Sequence, residues 1–508
     1  MSSAAWPERR TQLWSARLAA VAFGSWAAAI ATARGVGVKA LLAAPAVLLP
    51  LVWWTLRKPA RWLAGFFVAA LLLPPLPIPI GNSGPHPCLL FAALGLFSGL
   101  VRLPEWRVAP CGLNRALLAL FGAMAASVAF AAVYSGAAAA AGSMVRVLLF
   151  GVPVYVFFHT AYGPGRGGDR PWRDGDQPGR GGNRPGRDGN RPGRDEDPLE
   201  PDPLQPDPFT ATGRLFWIAT ASALFACVDF YFQFPAPAGY GPQFVWLDSG
   251  VYRRAQGLFY EASTLGNFCA FFLVMIAVAL ARPGTESPAP RKALAAGGAV
   301  LFAALVLSYS RGSLVNVAVA LAVLVWVNRR RLRFARLAPV LAVCTGAAAL
   351  LTWKVFPAFA EMYWLRLSAT AEFLFSSTEG VLSGRVASWR TLVDWIAANP
   401  WQTLFGVGYK TLPYTSALGS GVVADNMYLS LLVETGVAGL AALLWLNVCI
   451  LRAAGRAAQA AEPRRSFFGT WMLCFWAGQS VQMLSGDLLT YWRVLPVYFW
   501  VLALAVRV

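Results

Sequence analysis

Fourteen apolar stretches alternate with short loops along the 508 residues of this chain. A bilayer core of about 30 Å takes roughly 20 apolar residues in a helix, and most of the stretches approach that length. They fall at 14–33, 36–56, 61–80, 87–101, 113–134, 144–161, 214–234, 262–281, 292–308, 311–328, 336–353, 426–449, 466–485 and 490–506. The residues are 57% hydrophobic and only 13% charged, against about 25% charged in a water-soluble globule. A single soluble core is excluded. The expected fold is an all-α polytopic membrane protein of about fourteen transmembrane helices, with a large periplasmic loop between the eleventh and twelfth spans.

Threading the spans through a bilayer from a cytoplasmic N-terminus gathers the Arg on one side. The inside loops hold Arg57, Lys58 and Arg61, then Arg102 and Arg107, then Arg282, Arg291 and Lys292. They continue with Arg329, Arg330, Arg331, Arg333 and Arg336, and with Arg452, Arg456, Arg464 and Arg465. Positive charge belongs on cytoplasmic loops, so both termini are expected there. The same rule accounts for the net charge of +19 without a nucleic-acid partner; the bilayer itself is the partner. Glu8-Arg9-Arg10 before an apolar run resembles a signal peptide, but the many later spans favour a retained signal-anchor.

Composition divides the chain into five parts: N-terminal transmembrane helices (1–161), a disordered cytoplasmic insert (162–213), a transmembrane core (214–353), a large periplasmic loop (354–425) and C-terminal transmembrane helices (426–508). The insert is built of Gly, Pro, Asp and Arg with an imperfect RPGRDGN repeat, too polar to pack. It is read as a linker or a docking tail for a cytoplasmic partner. Within the large loop, residues 383–398 suit an amphipathic helix on the membrane surface. Its aromatics, among them Trp389, Trp395 and Trp401, suit interface anchors or sugar-stacking platforms. The seven Cys show no CxxC spacing and there are only two His. Neither a metal site, a disulfide framework nor a Ser-His-Asp triad is indicated, and no cofactor is expected.

A few charged residues break the sidedness: Arg253, Arg254, Arg311, Arg385 and Asp425 fall on the outer face. Spans entering from that face begin with polar residues, namely Ser263-Thr264, Ser308-Tyr309-Ser310-Arg311 and Asp425-Asn426. Their exposed N–H groups suit a phosphate. Arg311 in a first helical turn opposes the helix dipole unless an anion sits beside it; the plain alternative is a side chain snorkelling to headgroups. Arg385 is otherwise a solvated helix face, and Asp425 a helix N-cap. Glu434 lies about two turns into the twelfth span, where a carboxylate is expensive and marks a functional position by default; its alternative is a structural partner.

Four blocks in order resemble the O-antigen ligase and polymerase superfamily. They are Arg254-Ala-Gln-Gly-Leu-Phe-Tyr-Glu-Ala-Ser-Thr-Leu-Gly-Asn, Ser308-Tyr-Ser-Arg-Gly-Ser, Ser383-Gly-Arg-Val-Ala-Ser-Trp with Asn399-Pro-Trp-Gln-Thr-Leu-Phe-Gly-Val-Gly, and Asp425-Asn-Met-Tyr-Leu-Ser-Leu-Leu-Val-Glu-Thr-Gly. The resemblance covers about residues 214–450. It implies a metal-independent, inverting glycosyltransferase of the bacterial inner membrane that takes a saccharide from undecaprenyl diphosphate at the periplasmic face and joins it to a saccharide acceptor. Arg254, Arg311 and Arg385 match positions that would hold the diphosphate. Asn426, Glu434 and Ser310 support the site. Asp425 stands where ligases place a His, and would take the acceptor proton. That departure fits a polymerase of exopolysaccharide or O-antigen repeats better than an O-antigen ligase acting on lipid A core. A chain-length regulator is a further partner in the polymerase reading. A flippase of lipid-linked saccharide is the rival of another class; it would show broken helices in repeated halves.

Overall fold

The computed structural model describes residues 21–33, 35–57, 61–76, 84–163, 207–235, 241–247, 250–282, 287–329, 385–415, 418 and 422–507, with isolated residues between 353 and 368. The eleventh expected span at 336–353 lies almost wholly outside them, as does nearly all of the 162–213 insert. The described chain is mostly helical. Its first nine helices are α1 (Val21–Thr32), α2 (Val36–Arg57), α3 (Arg61–Leu72), α4 (Cys88–Val101), α5 (Gly112–Tyr162), α6 (Pro208–Phe232), α7 (Ala262–Leu280), α8 (Arg291–Leu307) and α9 (Arg311–Asn328). Beyond the large loop's first part follow α10 (Arg385–Ala398), α11 (Pro400–Phe405), α12 (Met427–Ala458), α13 (Pro463–Gln482) and α14 (Leu495–Val506). Five of these, α5, α6, α7, α9 and α12, are long and apolar enough to cross a membrane, and α1, α3, α4 and α14 are shorter apolar helices.

The fold is not purely helical. Between α6 and α7 the chain makes an antiparallel hairpin of β1 (Phe244–Leu247) and β2 (Gly250–Arg253), with Phe244 opposite Arg253. Val, Trp, Tyr and Phe in this stretch favour an extended backbone, and a loop outside the apolar spans has water or its own partner strand to satisfy it.

The fifth and sixth expected spans form one continuous element, α5, broken at Gly136 (φ 81°). A straight 51-residue helix would be about 77 Å long. Instead Asn114 donates to the Tyr162 hydroxyl at 3.0 Å, and a Cβ on Gly151 would lie 3.2 Å from the Phe121 ring. The two arms therefore run back along one another, and the turn is one residue rather than a loop. Only Gly adopts this backbone cheaply. A Cβ at Gly136 would meet open space, so the cost of Gly136→Ala is purely conformational, about 1–3 kcal/mol for a side chain forced into this glycine region, read as a fall in the unfolding midpoint in detergent.

The expected span 61–80 is only a 12-residue helix. Leu73-Pro74-Pro75-Leu76-Pro77 follows, and proline neither continues a helix nor lets its predecessor do so. The carbonyls left open at this end are met from outside the helix. Buried Arg493 donates to the Ala70 carbonyl through Nε at 3.0 Å and also to the Leu73 carbonyl at 3.4 Å. Non-helical backbone at membrane depth is tolerated where protein satisfies it, and Arg493 does so here.

Helix packing in lipid rests on close contact and polar links rather than on exclusion of water. Phe271 packs on Trp471 and Tyr498 at ring-centroid distances of 4.4 and 4.3 Å. Beside them runs a buried amide network. Asn267 donates to Gln479 and Gln482 at 2.7 and 2.8 Å, Asn316 donates to the same two oxygens at 3.1 and 3.0 Å, and Tyr498 donates to Asn267 at 2.8 Å. Gln482 in turn donates to Ser313 at 3.2 Å, in the first turn of α9. The network ties α7, α9, α13 and α14 together just beneath the end where α9 begins with Arg311.

The Arg-rich loops meet at the opposite end. Arg282 donates to the Pro463 carbonyl, Ser466 and Thr470 at 2.9–3.1 Å. Arg464 pairs with Asp207 at 2.8 Å, which also places the exit of the 162–213 insert at this end.

Candidate active site

The end at which α7, α9, α12 and α14 begin contains a cavity of about 500 Å³. Its wall carries Arg146, Glu261, Lys410, Asp425, Glu434 and Asp487, together with His86, Tyr491 and Arg493. Several of these charged groups are set there by a local break in regular structure.

Helix α12 is interrupted at Gly436 (φ 74°). The break frees two carbonyls, and the backbone after α11 supplies donors: Val407 N–H bonds the Val433 carbonyl at 3.0 Å and Gly408 N–H the Glu434 carbonyl at 2.8 Å. A Cβ at Gly436 would strike the Leu404 carbonyl, so this position admits only glycine on both conformational and steric grounds. The docked segment delivers Lys410, itself at φ 60°. Its ammonium forms an ion pair with Asp487 and lies 4.0 Å from Glu434. Arg146 on α5 donates to the Lys410 carbonyl at 2.7 Å. Glu434, buried within the helix as the sequence suggests, is thus partnered by Lys410.

Asp425 has φ 43°, a conformation that costs a non-glycine residue of order 1–3 kcal/mol. The cap of α12 is Asn426, whose side-chain oxygen accepts from the Tyr428 and Leu429 N–H groups at 3.0 and 3.1 Å. The capping role that is the plain alternative for Asp425 belongs to its neighbour, and Asp425 lines the cavity. The segment before it is held by Trp389 on α10, whose indole donates to the Ala424 carbonyl at 2.6 Å. Around this contact Leu392, Val407, Leu412, Val422, Ala424 and Val433 form a small separate core, with Trp395 packed against it. Trp389 and Trp395 are thereby packing residues, while Trp401 is 72% exposed. The helix expected at 383–398 is present as α10; the side chain of Arg385, its first residue, lies outside the described part.

Glu261 occupies the N-cap position of α7, and that helix starts one residue before the Ser263-Thr264 pair. Its side chain makes no capping bond and instead accepts from Ser263 at 2.9 Å. Burial, chiefly, raises the Glu261 carboxyl above its ordinary range; the Asp425 charge adds to this, while Ser263, Lys410 and Arg254 oppose it. Burial, then the neighbouring Glu261 charge, likewise raises the Tyr491 phenol. His86 Nε2 donates to the Leu73 carbonyl at 3.0 Å. Burial, then the Arg493 charge, lowers it to about 3, so it is neutral at physiological pH and a poor proton shuttle.

Of the arginines singled out from the sequence, Arg254 acts on the cavity residue Glu261 and is tied to the turn before Arg311. Arg254 Nε donates to the Ser308 carbonyl at 2.9 Å, and the Ala255 N–H to the Leu307 carbonyl at 2.9 Å. That anchors Arg254 to the turn that leads into Arg311. Arg254 and Asp425 both act electrostatically on Glu261. Ser310 stands before α9 without a capping bond of its own; its hydroxyl pairs with Ser313 at 2.8 Å. Arg253 is spent elsewhere, in a buried ion pair with Asp229 at 3.1 Å, and does not join the group.

Lys410, Asp487, Arg146 and Arg493 were not singled out from the sequence. Arg493 lies in the first residues of the last expected span, 490–506, at its outer end, and Lys410 within the large loop. The sidedness argument that selects Arg254 and Arg311 applies to both.

Residues 296–444 match the family model for O-antigen ligase. That stretch runs from α8 into α12 and includes Arg311, Arg385, Lys410, Asp425, Asn426 and Glu434; Arg254 and Glu261 precede it. No curated protein matches the chain.

Proposed function

We propose that this membrane protein with an O-antigen ligase family domain is a glycosyltransferase that joins lipid-diphosphate-linked saccharide repeats at the periplasmic face. The supporting observation is the placement of two carboxylates, Glu261 and Asp425, in one cavity beside the Arg254–Arg311 turn. The chemistry asks for that combination. A diphosphate leaving group builds negative charge as its bond to the sugar breaks, and guanidinium forks match phosphate geometry. An acceptor hydroxyl must lose a proton to become a nucleophile. Arg254 and Arg311 take the diphosphate in this reading, with Arg385 closing from the large loop. Asp425 and Glu261 are the carboxylates offered to the acceptor. Attack opposite the diphosphate inverts the anomeric centre.

The Arg-rich end lies in the cytoplasm by the positive-inside rule, which puts the cavity on the outer side. The fourteen-span count and the five-part division stand as part of the same proposal, with the cytoplasmic insert shortened at its end because α6 begins at Pro208, and a chain-length regulator as a further partner. Asp425 at the position where ligases carry a His favours a repeat polymerase over a ligase. Purified protein is expected to release lipid diphosphate from an undecaprenyl-diphosphate-linked repeat and to lengthen the saccharide. A deletion strain is expected to retain single repeats. Loss of polymer from lipid A core, with free polymer intact, would instead identify a ligase. Saccharide moved across vesicles without release of lipid diphosphate would identify a flippase.

A further inference from the structure

Two cavity carboxylates can receive the acceptor proton, and their surroundings differ. Glu261 sits at a helix N-cap, where an acidic side chain ordinarily bonds its own helix N–H groups. It does not; its carboxylate is turned to Ser263 and lines the cavity. The peptide bond that follows it is held at both polar atoms. The Ala262 N–H donates to the Gln243 side chain at 2.8 Å, and the Glu261 carbonyl accepts from Thr264 at 3.0 Å. The groups facing Glu261 come from five places: Ser263 on α7, Arg254 after β2, Lys410 after α11, Asp425 before α12 and Tyr491 before α14. Glu434 and Asp487 are already engaged by Lys410.

We infer that Glu261 is the general base of the transfer and that Asp425 acts on it as a charge neighbour that keeps it basic. The inference rests on the glycosyltransferase reading above. In the step, the acceptor hydroxyl oxygen forms a bond to the anomeric carbon. The bond from that carbon to the diphosphate oxygen breaks and its electron pair leaves with the lipid diphosphate. The hydroxyl proton passes to the Glu261 carboxylate and from there to solvent. A base must be deprotonated to work, so the rate falls as pH drops through its pKa. The raised Glu261 carboxyl sets that acid limb above the ordinary carboxylate range. Removing the Asp425 charge lowers the Glu261 pKa and moves the limb to lower pH. Removing the Ser263 donor, which favours the ionised form, moves it to higher pH.

The test follows initial transfer rates against pH for the full chain in detergent, with an undecaprenyl-diphosphate-linked repeat as both donor and acceptor. Glu261→Gln is expected to lose at least about 100-fold and its acid limb. Asp425→Asn is expected to lose no more than tenfold and to shift the limb down, and Ser263→Ala to shift it up. Should Glu261→Gln not fold, as seen by size exclusion, the opposite shifts of the other two variants decide alone. If the wild type is active while Glu261→Gln keeps the limb, or Asp425→Asn abolishes it, Glu261 is not the base and the glycosyltransferase reading stands. If the wild type releases no lipid diphosphate, both fall.

Discussion

Arg311→Ala is expected to reduce transfer by about 100- to 1000-fold, the usual effect of removing one fixed donor from a developing anion; that is roughly 3–4 kcal/mol of barrier. Arg311 opens α9, against the helix dipole, and the Ser308 carbonyl links its turn to Arg254 at 2.9 Å. The amide network through Ser313 and Gln482 lies below it, so the truncation leaves the helix start intact. Donor binding measured separately from turnover is expected to weaken less than the rate falls, because charge on the diphosphate grows in the transition state. Polymer of unchanged length and amount in cells carrying Arg311→Ala would refute the assignment.

Lys410→Met is expected to be the most damaging single change to stability near the cavity. Its ammonium stands between Asp487 and Glu434, whose side chains are 18% and 2% exposed. Deleting one partner of a buried ion pair leaves uncompensated charge and costs about 3–5 kcal/mol. The unfolding midpoint in detergent should drop sharply. The triple change Lys410→Met, Glu434→Gln, Asp487→Asn removes the charges together and should recover most of that loss, because the penalty belongs to the unpaired carboxylates. If Lys410→Met alone leaves the midpoint unchanged, the three groups are not a coupled unit.

Much of the architecture was legible in one dimension. Helices α2, α4, α6, α7, α9 and α13 lie close to the apolar stretches that forecast them. Lipid leaves a backbone few options, so an apolar block of sufficient length reports a helix almost directly. The misjudged elements share one cause. Leu73 to Pro77 counted as part of an apolar span, yet proline ends the helix at Leu72. Gly136 lay in a stretch read as a loop and is a one-residue reversal. The hairpin at 244–253 lies outside the spans, where hydropathy carries no information. Hydropathy registers how apolar a residue is and says nothing of the dihedrals it must adopt.

The candidate site divides in the same way. Arg254, Arg311 and Asp425 stood out because charge is costly or misplaced on the expected outer side. Their neighbourhood did not. Asp425 looked like a helix cap and gave that role to Asn426. Arg253 looked equivalent to Arg254 and is consumed by Asp229. Glu261 became prominent because its side chain declines the capping bond, turns to Ser263 and lines the same cavity as Asp425.

Length, hydropathy and the distribution of Arg determined by themselves that the chain is a membrane protein of many helices with its basic loops at one end. Those properties are sums over local residues, and a bilayer reads them without reference to partners. Which carboxylates share a cavity, which cation each one meets and which helix breaks deliver them were decided by the tertiary structure alone. Charge interactions depend on distances between residues up to hundreds of positions apart, and only packing sets those distances.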